Sequence, residues 1–531
     1  MPMITNPLQI GNNFPGENRY NTGGENGMKR IAVLMILVML LCACQPTPEQ
    51  DAVKQKDTNV LIDTVLSEQS EQQNAEATLP PVKEQFPDRF QCNFNTAQKN
   101  VHVLSDVPIE ILTETGSFPM LRVEHRYLSD AERLTIVKRL LKSDDLYIYE
   151  YRPTREALER MIRDLMQEPT PEDKAEYMAD FGTEEEWQEM LERRKETLAQ
   201  YQKQYNEMTD DAPAPLLRWS GAAPVYSKDF EHNSNQIMIV NSESVSSFFD
   251  YANVWANECD RPVEFEVARR EMFDTTTVWF FNNPNKFGTE RIDPEEYDTP
   301  HEGANLTPND AIKIVQAYFD GFGSFAASDV YWANNAATDG DVKGIQSNTR
   351  WAYLIHLSPV TNGAYQVYCS GSAGDDDPDT QFVGYWDYES LMAAVDGEGT
   401  LLSVVWVAPL KVTDVIAEST PLLPYEEIEK TFETQMDRVF FWEQHQDGTL
   451  NVDNVQLGLF RIREKGNINT GLLVPAWFFT GTFTYSEEQR ANNIAEGQSE
   501  PDASKSYYDN LNPLCIINAI DGTIIDPYKG Y

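Results

Sequence analysis

Apolar positions recur with two periods along this chain, and the two periods separate predicted strands from predicted helices. Period two governs "NVHVLSDVPIEIL" from Asn100 and "MLRVEHRY" from Met120, which read as half-buried strands. Ser129 and Glu132 stand at capping-box spacing and open a helix over "SDAERLTIVKRLL". Helical spacing returns at Leu158, Met161, Ile162 and Leu165, and again along Trp187, Met190, Leu191, Leu198, Tyr201 and Tyr205. Glu184 to Glu186 suit the positive start of that second helix. These two helices form an insert over 153–209, either a surface for a partner or a hairpin packed on its own domain. Strands resume in "QIMIVNS", "PVEFEVARREMF" and "TTTVWFFNN", and a loop rich in Pro, Asp and Glu marks a boundary near residue 300.

The C-terminal part reads as a duplication. "LTPNDAIKIVQAYFDGFG" has Thr307 as N-cap, Pro308 at the first helical position and a glycine stop. Strands then lead to a hairpin turn at Asp396-Gly397. The second half repeats this order: Tyr425, Ile428, Phe432, Met436 and Val439 on one helix face, then strands, then a turn at Asp521-Gly522. Asp-Gly favours a tight hairpin, because the turn needs positive φ. The expected class is α+β, with antiparallel sheets each packed by a helix.

The segment from Met28 has a different pattern. Lys29 and Arg30 precede the uncharged run Ile31–Leu41, too short to span a bilayer, which takes about 20 apolar residues. This is the layout of an export signal. Ala43 before Cys44 resembles the bacterial lipobox; in that family the cysteine becomes the new N-terminus and carries lipid on its sulfur. The resemblance implies acylation of Cys44, two or three chains sharing the anchoring, and a place on the outer face of the cytoplasmic membrane, at the cell surface. Cys42 follows the bulky Leu41 and fits the pattern less well.

Residues 1–27 read as an upstream extension, with translation starting at Met28, and 28–43 as the signal peptide. A tether rich in Gln, Glu, Thr and Pro is expected over 44–91. An N-terminal α+β domain is expected over 92–300, one module over 301–408 and a second over 409–531.

Composition narrows the function. Asp and Glu total 85 against 42 Lys and Arg, a net charge of −43, which repels phosphate backbones and anionic headgroups. Nucleic acid is therefore not an expected partner; the lipid bilayer, reached through Cys44, and an envelope protein are. Cys92, Cys259, Cys369 and Cys515 have no zinc spacing, and read either as two disulfides or as buried thiols.

Motifs for chemistry are mostly missing. The six histidines form no HExxH pair, no serine sits in GxSxG, and no phosphate-cradling glycine loop occurs. Cys369 and His356 read as core residues rather than a nucleophile pair. Asp375, Asp376, Asp377 and Asp379 offer oxygen ligands for weak calcium, without EF-hand spacing, and no other cofactor is expected. Tyr331, Trp332 and Trp386 are candidates for stacking on a ligand.

The pair "LVPAWFF" and "CIINAIDGTIID" resembles the closing strands of PepSY-type and YycI-like extracytoplasmic modules. The resemblance implies that Pro475, Trp477, Asn518, Asp521 and Gly522 serve the fold rather than catalysis. The whole arrangement also resembles a family of lipoproteins of gut Clostridia that carries a domain of unknown function. The expected role is non-catalytic: binding or regulation through protein contact. A solute- or glycan-binding lipoprotein is the alternative, and an envelope hydrolase using carboxylates or a bound metal comes third.

Overall fold

The computed structural model describes residues 58–74, 81–97, 100–149, 155–171, 173–174, 177–178, 183–208, 217–222, 236–240, 250–255, 264–269 and 290–334. It further describes 351–367, 369, 372–373, 386–442, 447–464, 470–495, 504–507 and 513–530. The chain begins with α1 (Thr58–Asn74), α2 (Val82–Gln85), β1 (Arg89–Asn95), β2 (Val101–Ile111) and β3 (Met120–His125). Next come α3 (Asp130–Leu141), β4 (Tyr147–Tyr149), α4 (Arg155–Met166), α5 (Glu184–Glu207) and β5 (Leu217–Arg218). Then follow β6 (Gln236–Val240), β7 (Asp250–Trp255), β8 (Glu264–Arg269), β9 (Glu290–Arg291), α6 (Pro308–Tyr318) and β10 (Phe325–Asn334). The middle continues with β11 (Trp351–Thr361), β12 (Ala364–Tyr365), β13 (Ser372–Ala373), β14 (Trp386–Asp387), β15 (Ser390–Asp396), β16 (Leu401–Val407) and β17 (Leu410–Ala417). Last are α7 (Tyr425–Trp442), β18 (Gly448–Arg463), β19 (Thr470–Tyr485), α8 (Glu487–Ala495), β20 (Ser504–Tyr507) and β21 (Cys515–Asn518).

Two large sheets carry the α+β fold. The eight-stranded sheet runs β1-β2-β18-β19-β3-β17, with β20 and β21 also on β19. Its strands are antiparallel except where β18 lies parallel to β2. The eleven-stranded sheet runs β5-β4-β6-β7-β8-β16-β15-β11-β10-β9, with β12 on β11. The helix α7 covers the first sheet: Ile428, Phe432 and Met436 are fully buried with Phe90, Trp477 and Phe479. Phe86 meets Trp477 edge-on at 5.0 Å, a geometry that adds to area burial. On the second sheet, α3 and α6 bury Ile136, Val137, Leu140, Ala311 and Val315 against Tyr353, Ile355 and Trp406. Among the described residues, no helix is long and apolar enough to cross a membrane.

The caps form as their spacing predicts. Ser129 and Glu132 make a reciprocal capping box, and so do Thr307 and Asp310, with Pro308 in the first turn. Gly522 takes positive φ at its Asp-Gly turn. At the other turn positive φ falls on Gly399 rather than Gly397. That loop is wider, and Asp396 Oδ1 spans it by accepting from the Glu398 and Thr400 amides at 3.1 and 2.7 Å.

Two boundaries differ from expectation. A helix, Thr58–Asn74, lies inside the stretch 44–91 expected as a tether. Leu61 and Val65 are one helical turn apart and buried in a core with Phe460, Leu472 and Val474. Gln69 Nε2 donates to the Ser419 carbonyl at 2.7 Å. A short apolar pair was enough to dock a polar helix, because the sheet supplies the rest of the buried surface. The stretch 92–300 also contributes to both sheets. Its β1–β3 join the 409–531 strands, and its β4–β9 join the 301–408 strands.

Candidate functional site

The two sheets meet at the β11–β12 hairpin. Its turn is Asn362-Gly363, with φ of 50° and 76°. Positive φ at both residues matches the right-handed twist of the flanking strands, and Gly carries no Cβ penalty there. The tip of this hairpin leaves its own sheet and bonds to the other. Glu114 N donates to Gly363 O at 2.8 Å, Tyr365 N to Leu112 O at 2.9 Å, and Val367 N to Leu459 O at 2.8 Å. A Cβ on Gly458 would fall 2.9 Å from Val367 Cγ2 and 3.1 Å from the Tyr365 carbonyl, so the close approach requires glycine.

Beside this bridge lies a cleft of about 470 Å³, within the size range of small-ligand sites. From the eight-stranded sheet, β2 lines it with Ile109, Glu110 and Ile111, and β18 with Gln456. From the eleven-stranded sheet come Ala326, Ala327 and Ser328 of β10 and Ser358 of β11. Tyr365 and Gln366, at the end of the bridging hairpin, and Tyr297 complete the walls, with Lys83 and Asp88 also lining it. Gln456 Nε2 donates to Glu110 Oε2 at 2.8 Å. Tyr365 holds its hydroxyl on Glu114 Oε1 at 2.9 Å, which fixes its ring. Nearby, Arg291 Nε donates to Asp329 Oδ1 at 2.8 Å. Burial opposes the Arg291 charge, but Asp329, Tyr331 and Glu110 hold its pKa above the ordinary value. Burial and then Asp329 push the Tyr297 phenol up.

Glu389 stands behind the cleft and does not line it. Trp406 Nε1 donates to its Oε1 at 3.2 Å, and Gln366 Nε2 approaches its Oε2 at 3.5 Å. Burial raises its pKa to about 7, against those donors and the Leu410 amide. Burial also lowers His356 to about 4, with Asp329 pulling the other way. Arg461, 1% exposed, lies 3.8 Å from the centre of the Trp386 ring and 4.5 Å from that of Tyr388. Its Nη2 donates to the Trp386 and Asp387 carbonyls at 2.7 and 3.2 Å. Burial brings it down to about 10.

The residues expected to stack on a ligand do not converge. Trp332 is buried, stacked on His301 at 5.0 Å and on Trp351 at 5.8 Å, with Tyr353 at 4.7 Å. Trp386 is buried between Arg461 and His125, the latter at 4.4 Å. Tyr331, the strand neighbour of Trp332, is half-buried and 5.4 Å from His356. Burial closes both tryptophan faces to a ligand. Strand aromatics commonly pack into the core, as these two tryptophans do.

Cys44, Asp375, Asp376, Asp377 and Asp379 lie outside the described residues. Among the described residues, no cluster of three His, Cys, Asp or Glu side chains is placed to hold a metal ion. Cys92 and Cys515 are free thiols; burial, aided by Glu433 and Glu429, pushes Cys92 up to about 12, and burial alone raises Cys515. No sequence motif marks the cleft residues, since they are serines, glutamines and carboxylates drawn from separate strands. One signal was present: "TNGAY" holds the Asn-Gly pair that builds the bridging hairpin.

No protein-family model matches the chain, and no curated protein does. Among solved structures, the chain is similar to an uncharacterized protein from Eubacterium rectale ATCC 33656, at 10% identity and a TM-score of 0.42. That alignment covers 89% of this chain and 99% of the other.

Proposed function

We propose that this protein is a lipid-anchored extracytoplasmic binding protein that acts without catalysis and takes its ligand in the cleft between the sheets. The observation that carries the reading is the cleft itself: walls from both sheets, a bridging hairpin that holds them together, and the buried polar side chains Ser358, Gln366 and Gln456 along it. A preformed site of this kind binds without first ordering its walls. The lipobox-like sequence at Cys44 supports anchoring outside the membrane, and the antiparallel strands that follow α6 and α7 support the likeness to PepSY-type and YycI-like modules.

Envelope extract, freed of protein, should raise the melting temperature of the purified full chain. Ser328→Trp, which fills the cleft, should abolish that rise while melting normally without extract. An equal rise in both proteins sinks the reading.

A second reading, contact with an envelope protein, draws on α4 and α5. These helices pack on one another through Arg155 over the Tyr205 ring at 4.7 Å and Tyr205 to Glu159 at 2.6 Å. A groove lined by Ile162, Met166 and Tyr205 stays open between them, and Met166 is 63% exposed. Crosslinking of the lipidated protein in native membranes tests this reading: one stoichiometric partner, lost on Met166→Glu, supports it, and no partner ends it.

A further inference from the structure

We infer that the ligand of the inter-sheet cleft is a short neutral or amino-bearing saccharide, recognised through its hydroxyl donors. This rests on the cleft being the binding site. Ser358, Gln366 and Gln456 are at most 5% exposed, yet each lines the cleft. Their hydrogen bonds leave capacity unused. Gln456 gives its Nε2 to Glu110 and Gln366 its Nε2 to Glu389, so both amide oxygens lack a partner among the described residues. The Ser358 hydroxyl lines the cleft beside them. These atoms open onto the cleft, where the donors of a ligand can replace water on them.

The groups the cleft offers are mainly acceptors: two amide oxygens, the Ser358 hydroxyl oxygen and the second oxygen of the Glu110 carboxylate. A ligand that complements them must bring donors, and a sugar brings several hydroxyls at close spacing. The charge agrees. Glu110 and Asp88 face the cleft with Lys83, while the nearby Arg291 is already engaged by Asp329. Among the described residues the lining sets two carboxylates, Glu110 and Asp88, against one ammonium, Lys83, so its balance disfavours a phosphate or carboxylate. Glu110 instead suits an amine. The apolar share of the walls fits the same ligand. Tyr297 and Tyr365 add aromatic surface to the lining, suited to the C–H face of a sugar. Anchored rings such as Tyr365 stack without new loss of freedom.

The test is isothermal titration of the full chain with three sets of oligosaccharides of matched length: neutral, amino-bearing and uronic. Neutral or amino-bearing sugars are expected to bind and uronic ones at least tenfold more weakly. Gln456→Met keeps the size of the side chain and removes its acceptor; it should weaken binding at least tenfold with an unchanged melting curve. Ser358→Ala should do the same to a smaller extent. Preference for uronic sugars, or binding unaltered in both variants, overturns the inference. If no saccharide binds while the extract still stabilises the protein in a Ser328→Trp-sensitive way, the ligand class is wrong and the cleft remains a binding site. If the extract has no such effect, both fail together.

Discussion

In the eight-stranded sheet the long strand β18 has β19 on one side, its neighbour in sequence, and β2 on the other, where Ser105 donates to the Val452 carbonyl across 347 positions. In the eleven-stranded sheet, β6, β7 and β8 form one local run and β10, β11, β15 and β16 another, joined where β8 meets β16. The first sheet is closed by the two ends of the described chain, the second by its middle. The difference separates what chain order suggests from what hydrogen bonding demands. A segment that looks like a module by pattern can lack the strands that complete its sheet.

Cutting the chain gives the largest effect. A fragment of residues 409–531 lacks β1, β2 and β3, so β18 loses its parallel partner and α7 loses Phe90. It should show no cooperative melt by circular dichroism. A fragment of residues 128–408 contains every strand of the eleven-stranded sheet and should melt in one step. Cooperative melting of the 409–531 fragment would erase the contrast.

A smaller effect comes from Glu389 where the sheets meet. Its folded pKa of about 7 lies above the ordinary value of 4.5, so the folded state keeps its proton longer than the unfolded one. Stability therefore falls as pH rises from about 4.5 to about 7, by on the order of 3 kcal/mol at 1.36 kcal/mol per tenfold change. His356 acts oppositely: held at about 4 against an ordinary 6.5, it makes stability rise with pH across that interval. The two slopes nearly cancel in the natural chain. Glu389→Gln removes one, so urea titrations of the variant should show stability climbing from pH 4 to 6.5 and exceeding the natural chain at pH 8. A flat profile in the variant would assign the slopes elsewhere.

The smallest effect is local. Ser129→Ala removes the capping box that starts α3 on the eleven-stranded sheet and should cost about 1 kcal/mol by urea denaturation. An equal effect on hydrogen exchange of α7, on the other sheet, would mean the sheets open together.

Local elements were legible in the sequence because their signals are local. The caps at Ser129 and Thr307, the buried stripe of Ile428, Phe432 and Met436, and the α+β class all follow from spacing within a few residues. The pairing of β2 with β18 was not legible. Period-two patterns at 101 and 448 say that each strand has an apolar face, and nothing in either names the other. Docking of α1 was missed for a similar reason: Leu61 and Val65 are too few to signal a packed helix without the sheet beneath them. Trp332 and Trp386 misled because residue type suggests stacking, while burial depends on what covers the strand. The cleft stayed hidden since Ser358, Gln366 and Gln456 come from three separate places in the chain and meet only after the sheets do.

The parallel seam between β2 and β18 also bears on the order of events as the chain is made. Polypeptide emerges from its first residue onward, so β1, β2 and β3 leave the ribosome hundreds of residues before the strands that will hold them. The eleven-stranded sheet can assemble while they wait. Unpaired, they expose a row of amides and carbonyls beside the apolar Val101 and Val103, a surface prone to wrong pairing. A holding chaperone that covers this stretch until residue 463 has appeared would protect it from wrong pairing.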